Sequence, residues 1–347
     1  MDQLSGALTL FFSLMVEAVP FLLIGVLFSS ALLLFIDEQK LIALMPRQPL
    51  LGALMGSLLG FMFPVCECGN VPVARRLLMQ GAPASVAIGF LLAAPTINPI
   101  VLWATWTAFR DQPEIVALRF ALSLIVAVTI AWIFSRQRDM RPFLQDFLAQ
   151  MVPAPPQKQQ PSWWIGASPA PTSASPLLQS GTFLLGSGRS PQRLDGPSIM
   201  ALSSGQTLSQ PLAARLVLML NNVVQELREL GGMLVIGSAI AAFVQVAVPR
   251  EIILSLGQGP VTSILAMMTL AAVVSICSTV DSFFALSFAS TFTSGSLLAF
   301  LVFGPMIDVK NIGLLFSIFR SRAIFYLFAL AAQLTFLLTL VLNLYVS

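Results

Sequence analysis

The sequence contains no histidine, and charged residues make up only 10% of its 347 positions. Without histidine, the chain lacks the commonest metal ligand and the usual side chain for moving protons near neutral pH. It also lacks the base that most often activates a cysteine or serine nucleophile. Any metal would therefore have to be held by thiolate, carboxylate, amide or backbone oxygen ligands.

Other familiar signatures are also missing. No Walker loop, dinucleotide-binding glycine motif, His-Glu-x-x-His zinc motif or Gly-x-Ser-x-Gly elbow occurs in a suitable context. We therefore predict that the chain is not an enzyme, hydrolyses no ATP and needs no cofactor. The N-terminus has no basic segment and no small-residue cleavage site, so we expect the first helix to remain in the mature protein.

Hydrophobic residues make up 57% of the chain, against roughly 45–50% in soluble proteins. Eight apolar segments come close to the length that a helix needs to cross ~30 Å of hydrocarbon. They are residues 18–36, 50–66, 84–109, 115–134, 230–248, 261–278, 296–319 and 323–346. These segments predict an all-α membrane protein with about eight transmembrane helices in a lipid bilayer.

Residues 135–210 differ from the rest of the chain in composition. They hold ten of the 23 prolines, and their six basic and three acidic residues account for the formal net charge of +3. This composition predicts a flexible linker between transmembrane repeat 1 (1–134) and transmembrane repeat 2 (211–347). The positive charge lies in the linker rather than in a basic stripe, so no nucleic-acid partner is predicted.

The orientation of the two halves is left open by the sequence. Arg136, Arg138 and Arg141 directly follow a predicted helix, which places the linker in the cytoplasm. Four crossings in each half would give two repeats of the same orientation, with both termini also cytoplasmic. If the stretch 67–80 re-enters the membrane and crosses, the repeats would instead be inverted, and transporters use both arrangements.

All three cysteines lie in two short segments that resemble each other. FMFPVCECGNVP contains Cys66 and Cys68, and AVVSICSTVDSFF, 211 positions later, contains Cys277. Aligning Cys66 with Cys277 also places Asn70 on Asp281. Thiols within an apolar chain are suited to soft or borderline metal ions. The duplication predicts one composite site to which both halves contribute.

Further polar residues follow the same alignment. With a shift of one residue, LLAAPTINPI matches LVFGPMIDVK, so Asn98 lies on Asp308. Glu67 stands between the first two cysteines, and the prolines beside it, Pro64 and Pro72, favour a broken or re-entrant helix with free carbonyl groups. An ionisable group within a membrane segment is expensive, and is therefore a candidate functional group.

Each of these residues also has a structural interpretation. Buried cysteines often act as small hydrophobic residues. Asp308 is equally compatible with capping a helix or pairing with Lys310. Glu17 and Glu229 are also matched between the halves, and we interpret them as positions where an amphipathic stretch enters the bilayer.

Two long stretches carry a resemblance to a known family. They are FPVCECGNVPVARRLLMQGAPASVAIGFLLAAPTINPIVL and its partner SICSTVDSFFALSF with GSLLAFLVFGPMIDVKN. The chain resembles the predicted permease family, the UPF0718 group, which includes bacterial organoarsenical efflux permeases. The resemblance covers about 10–135 and 212–346, and the Cys-Glu-Cys-Gly-Asn segment matches one branch of it. It implies a multi-pass protein of the bacterial inner membrane, with a second membrane subunit as a possible partner.

We therefore predict a permease that moves a small substrate or ion, such as a soft metal or metalloid species, by a secondary-transporter-like mechanism. The alternative is a non-transporting subunit of a two-component membrane complex that receives metal through its thiols. The predicted soft ligands are Cys66, Cys68 and Cys277. Glu67, Asp281 and Asp308 are predicted to balance charge or carry protons, and Asn70 and Asn98 to be neutral ligands.

Overall fold

The computed structural model describes most of the hydrophobic chain and small parts of the linker. The described residues are 2–35, 45–46, 48–63, 66–137, 141–151, 183–184, 192–193, 212–247, 259–289 and 291–346. The break predicted at Pro64 and most of the predicted linker lie outside them.

Among the residues that the structure describes, the first half contains the α-helices α1 (Asp2–Phe35), α2 (Pro49–Met62), α3 (Glu67–Met79), α4 (Ala84–Ile97), α5 (Pro99–Ala108) and α6 (Pro113–Ser135). A 3₁₀ turn (Arg141–Phe143) and α7 (Asp146–Met151) follow. Two short antiparallel strands, β1 (Phe183–Leu184) and β2 (Gln192–Arg193), pair Phe183 with Arg193. The second half contains α8 (Leu212–Ala247), α9 (Pro260–Val274), α10 (Asp281–Leu286), α11 (Ser294–Met306), α12 (Val309–Leu315) and α13 (Ser321–Val346).

Six spans among the described residues are long and apolar enough to cross a membrane. They are Ser5–Ala31, Ala84–Ala108, Pro113–Ser135, Met219–Val244, Ser294–Leu315 and Ser321–Tyr345. The two remaining apolar helices, α2 and α9, are shorter and end next to the cysteine motifs. The prediction of an all-α membrane protein is thus confirmed.

Three glycines let α2 pack with its backbone against α4. A side chain at Gly52 would come within 2.6 Å of Ser85 Oγ, and one at Gly60 would come within 2.7 Å of the backbone nitrogen of Ala94. Gly56 lies between them on the same face, since glycines four residues apart share one side of a helix. Later residues of α2 contact later residues of α4, so the two helices run parallel.

The parallel packing determines the path of the chain. Because α2 and α4 start at the same end of the bundle, α3 must bring the chain back to that end. The helices α2 and α3 therefore form a re-entrant hairpin, in which Cys66 caps the start of the second helix.

The second half contains a similar hairpin, formed by α9 and α10. Asn343 of α13 donates a hydrogen bond to Pro260 O at the start of α9, at 3.4 Å, and also lies against Gly295 at the start of α11. Near the other ends of these helices, Gly304 packs against Ala271. The helices α9 and α11 are thus parallel too.

We call the end where α6 finishes and α8 begins the linker face, and the end where α1 begins and α13 finishes the terminal face. With two re-entrant hairpins, the six spans alternate in direction and place the linker and the two termini at opposite faces. This path does not support the expectation that linker and termini share the cytoplasmic side. The reason is that α2 and α9 do not cross, so each half has an odd number of crossings.

The first part of the predicted linker is packed rather than free. Leu144 and Leu148 are fully buried, and the backbone nitrogen of Gln145 donates to Ile318 O at 3.0 Å. Residues 141–151 therefore dock on the connection between α12 and α13. The high proline and serine content of 135–210 as a whole concealed this short apolar segment.

Candidate functional site

The tips of the two re-entrant hairpins meet in the interior of the protein. Cys66 caps the start of α3, and its carbonyl oxygen accepts a hydrogen bond from Asn70 N at 3.2 Å. Cys277 precedes α10, and its carbonyl oxygen accepts one from Asp281 N at 3.0 Å. Before Cys277, Ser275 adopts a left-handed backbone conformation (φ 46°) that ends α9. Each tip thus presents a cysteine where a helix is interrupted.

Two thiols and one carboxylate converge at this point, and we call them the thiol centre. The Sγ atoms of Cys66 and Cys277 and a carboxylate oxygen of Glu67 all lie within 4.8 Å of one another, and all three residues are buried. Ligand atoms around a tetrahedral metal with bonds of ~2.3 Å are about 3.8 Å apart. A modest contraction would therefore let these three groups hold one soft or borderline cation.

Glu67 also forms a buried ion pair. Lys310 Nζ lies 3.0 Å from Glu67 Oε1, and both side chains are 1% exposed. The other carboxylate oxygen, Oε2, has no hydrogen-bond partner among the described residues. Lys310 therefore compensates the carboxylate charge, while Oε2 remains available to a ligand beside the thiols.

A second buried ion pair joins α6 to α10. Arg119 donates to both carboxylate oxygens of Asp281, at 2.7 and 3.2 Å, and the two side chains are 0% and 3% exposed. Arg119 also donates to the hydroxyls of Thr105 and Ser282, at 2.8 Å each. These two hydroxyls are 3.0 Å apart. The pair is thus bidentate and supported by hydrogen bonds from both halves of the chain.

The two predicted amides lie in different local environments. Asn70 Nδ2 donates to Leu91 O at 2.8 Å, while its oxygen has no partner in the described part of the chain. Asn98 caps α5: its side-chain oxygen accepts from Val101 N at 2.9 Å, and its Nδ2 donates to Ala94 O at 3.0 Å. The Asn98 side chain therefore holds the interruption between α4 and α5.

Asp308 occupies the matching interruption between α11 and α12. It is the N-cap of α12, and its Oδ1 accepts a hydrogen bond from Asn311 N. Cys68 is fully buried on α3 and is hydrogen-bonded to Cys66, although it is not one of the three residues, Cys66, Glu67 and Cys277, whose ligand atoms lie within 4.8 Å of one another. The structure thus brings all three predicted thiol ligands close together, with Cys68 beside the group of three, and places Asn98 and Asp308 in capping positions.

The two basic partners in these ion pairs, Arg119 and Lys310, were not among the site residues predicted from sequence. Arg119 lies within the apolar segment 115–134 and Lys310 within 296–319. A basic residue inside an apolar segment is the signal that would have found both, because such a residue normally needs a buried acidic partner.

Comparison with known proteins assigns the chain to a family. The sequence model of a family described as "Predicted permease" matches residues 3–344. The chain belongs to this family. Residues of both hairpins and both ion pairs lie within the matched range.

Two relatives align over nearly the whole chain. The UPF0718 protein YcgR of Bacillus subtilis is 35% identical over 323 residues, which cover 92% of this chain and 90% of that protein. A "Putative two-component membrane permease complex subunit" of Streptococcus mutans is 31% identical over 317 residues, which cover 91% of this chain and 88% of that protein. No solved structure matches. Membership of the family and the apolar helices together identify a multi-pass membrane protein of the permease type.

Proposed function

We propose that this protein moves a soft metal or metalloid species across the bacterial inner membrane and binds it midway at the thiol centre. The observation that carries the proposal is the convergence of Cys66 Sγ, Cys277 Sγ and a Glu67 oxygen within 4.8 Å. Thiolates select soft ions over Mg²⁺ and Ca²⁺. The site is buried where the two hairpin tips meet, so an ion reaching it from either face would be held inside the protein.

We further propose that the two halves are inverted repeats. The parallel pairs α2–α4 and α9–α11 support this arrangement, as does the position of one cysteine at each hairpin tip. Such repeats are related by an axis in the membrane plane and allow a central site to open to either face in turn. With the linker in the cytoplasm, as its arginines indicate, both termini would be periplasmic.

The two buried ion pairs provide a means of alternating access. Glu67–Lys310 joins α3 to α12 on the linker side of the thiol centre, and Arg119–Asp281 joins α6 to α10 on the terminal side. Each pair has one partner in each half of the chain. Opening one face would require separating one pair while the other keeps the opposite face closed. A cation bound at Glu67 would place a second positive charge near Lys310 and so weaken the Glu67–Lys310 pair.

The test is metal transport by sealed vesicles that contain the purified protein. Cys66→Ser and Cys277→Ser should each reduce transport of a soft cation such as Cd²⁺ at least tenfold. Cys68→Ser tests the third thiol, which is hydrogen-bonded to Cys66 but lies outside the group of three, and it should reduce transport less than Cys66→Ser or Cys277→Ser. Binding is measured independently as thiolate-to-metal charge-transfer absorption. Full transport by a protein that lacks all three cysteines would rule out the mechanism.

The name of the Streptococcus mutans relative supports a second candidate, a subunit of a two-component membrane complex. In that case the chain alone would bind metal but not transport it, and a second membrane protein would complete the path. Vesicles with this chain alone separate the two candidates: metal-dependent absorption without transport favours the subunit, and transport favours the permease.

A further inference from the structure

A cavity of about 920 Å³ lies between α1 and residues 274–284 of the second hairpin. One wall is formed by α1, which contributes four apolar residues and the polar residues Thr9, Ser13 and Glu17. These residues are spaced four apart and so lie on one face of the helix. The opposite wall comes from residues 274–284 and includes Ile276, which directly precedes Cys277.

Glu17 is an ionisable residue deep within a membrane span. It lies twelve residues after Ser5, the first residue of the span Ser5–Ala31, which corresponds to about 18 Å along the helix. No hydrogen bond or ion pair joins it to another residue that the structure describes. A charge at this depth is expensive unless water or a counter-ion reaches it. Its matched residue in the other half, Glu229, is paired with Arg75 at 2.9 Å.

The packing of α1 differs between its two ends. On the linker side, Gly25 of α1 is so close to Gly69 of α3 that a side chain would overlap its backbone. On the terminal side, the space between α1 and the second hairpin is instead open. Helix α1 therefore packs closely against the first hairpin and leaves a space beside the second.

We propose that this cavity is a water-filled vestibule through which a cation passes between the terminal face and the thiol centre, with Glu17 binding the cation on the way. The polar stripe of α1 leads from the terminal face down to Glu17, and Ile276 brings the inner end of the vestibule to the residue next to Cys277. In this proposal Glu17 lines the transport path, whereas the sequence had suggested a position where the helix enters the bilayer. This inference rests on the proposed function.

The test measures access to the cavity without requiring transport. Ser13→Cys is introduced into a protein whose native cysteines are replaced by serine, and also into the wild-type background, where the native thiols are 5% exposed or less. Membrane-impermeant methanethiosulfonate reagents of positive and negative charge are added from each side of the membrane. Val19→Cys is the matched control, because Val19 lies on the same helix, is 40% exposed and is outside the cavity.

We expect Ser13→Cys to react from the terminal side and Val19→Cys to remain unlabelled. The cationic reagent should react about fivefold faster than the anionic one, a factor that corresponds to about 1 kcal/mol of attraction. Adding Glu17→Gln should abolish this preference.

If Ser13→Cys reacts no faster than Val19→Cys, the cavity is filled by lipid or another protein and the proposal is overturned. A charge preference that survives Glu17→Gln removes the role of Glu17. Neither result bears on the proposed function, which is tested separately by replacing the cysteines.

Discussion

Replacing Asp281 by asparagine should strongly destabilise the protein. The substitution keeps the shape of the side chain but leaves the charge of Arg119 buried and unpaired, with 0% exposure. Removing one partner of a buried ion pair costs about 3–5 kcal/mol. The double variant Arg119→Met/Asp281→Leu removes both charges, and the hydroxyls of Thr105 and Ser282, 3.0 Å apart, can still bond to each other. We therefore expect the double variant to be more stable than Asp281→Asn.

The measurement is the free energy of unfolding in mixed micelles, followed by circular dichroism as the denaturing detergent is increased. The exposed pair between Arg320 and Asp146, whose side chains are 45% and 80% exposed, is the internal control. Arg320→Gln should change the stability by less than about 1 kcal/mol. If Asp281→Asn is no more destabilising than Arg320→Gln, the buried pair does not stabilise the protein more than the exposed pair does, and the prediction is wrong. It also fails if removing both charges costs as much as the two single losses added together.

Three further predictions use the same purified protein. Gly25→Ala should prevent α1 from packing on Gly69 and lower the free energy of unfolding by about 1–3 kcal/mol, whereas the same change at Gly6, which has open space around it, should have little effect. Asn98→Ala removes the cap of α5 and should cost about 0.5–2 kcal/mol in the same assay; an unchanged stability would mean that the cap does not hold this break. Cd²⁺ binding at the thiol centre should weaken as the pH falls, because thiols must lose protons to bind a metal, and titrations that show the same affinity at pH 5 and pH 8 would contradict thiolate ligation.

The helical segments and their interruptions were predictable from sequence because they depend on local composition. Apolar runs identify helices in a membrane regardless of their neighbours, and the polar residues around Cys66, Asn98, Cys277 and Asp308 interrupt those runs. The structure places an interruption at or next to each of these residues. Each signal is contained within a few consecutive positions.

The direction of the chain and the charge partners depend on contacts between distant residues, which composition does not reveal. A run such as 50–66 has the length of a crossing helix, and only its parallel packing on α4 shows that the chain turns back. The spacing of Gly52, Gly56 and Gly60 was a sign of this close packing, but not of its direction. Arg119 and Lys310 stand out as basic residues within apolar segments, but the sequence does not show which acidic residue each of them pairs with.

The ion pairs between the halves also bear on how the protein is made. Arg119 and Asp281 are 162 residues apart, and Glu67 and Lys310 are 243 residues apart. During synthesis, the first half must enter the bilayer with Arg119 and Glu67 still lacking their partners. Placing an arginine in the centre of a membrane helix costs roughly 2.5–3.5 kcal/mol during insertion. We therefore expect the first half alone to be held loosely until the second half arrives, so that a chain truncated before residue 281 is readily removed by membrane proteases.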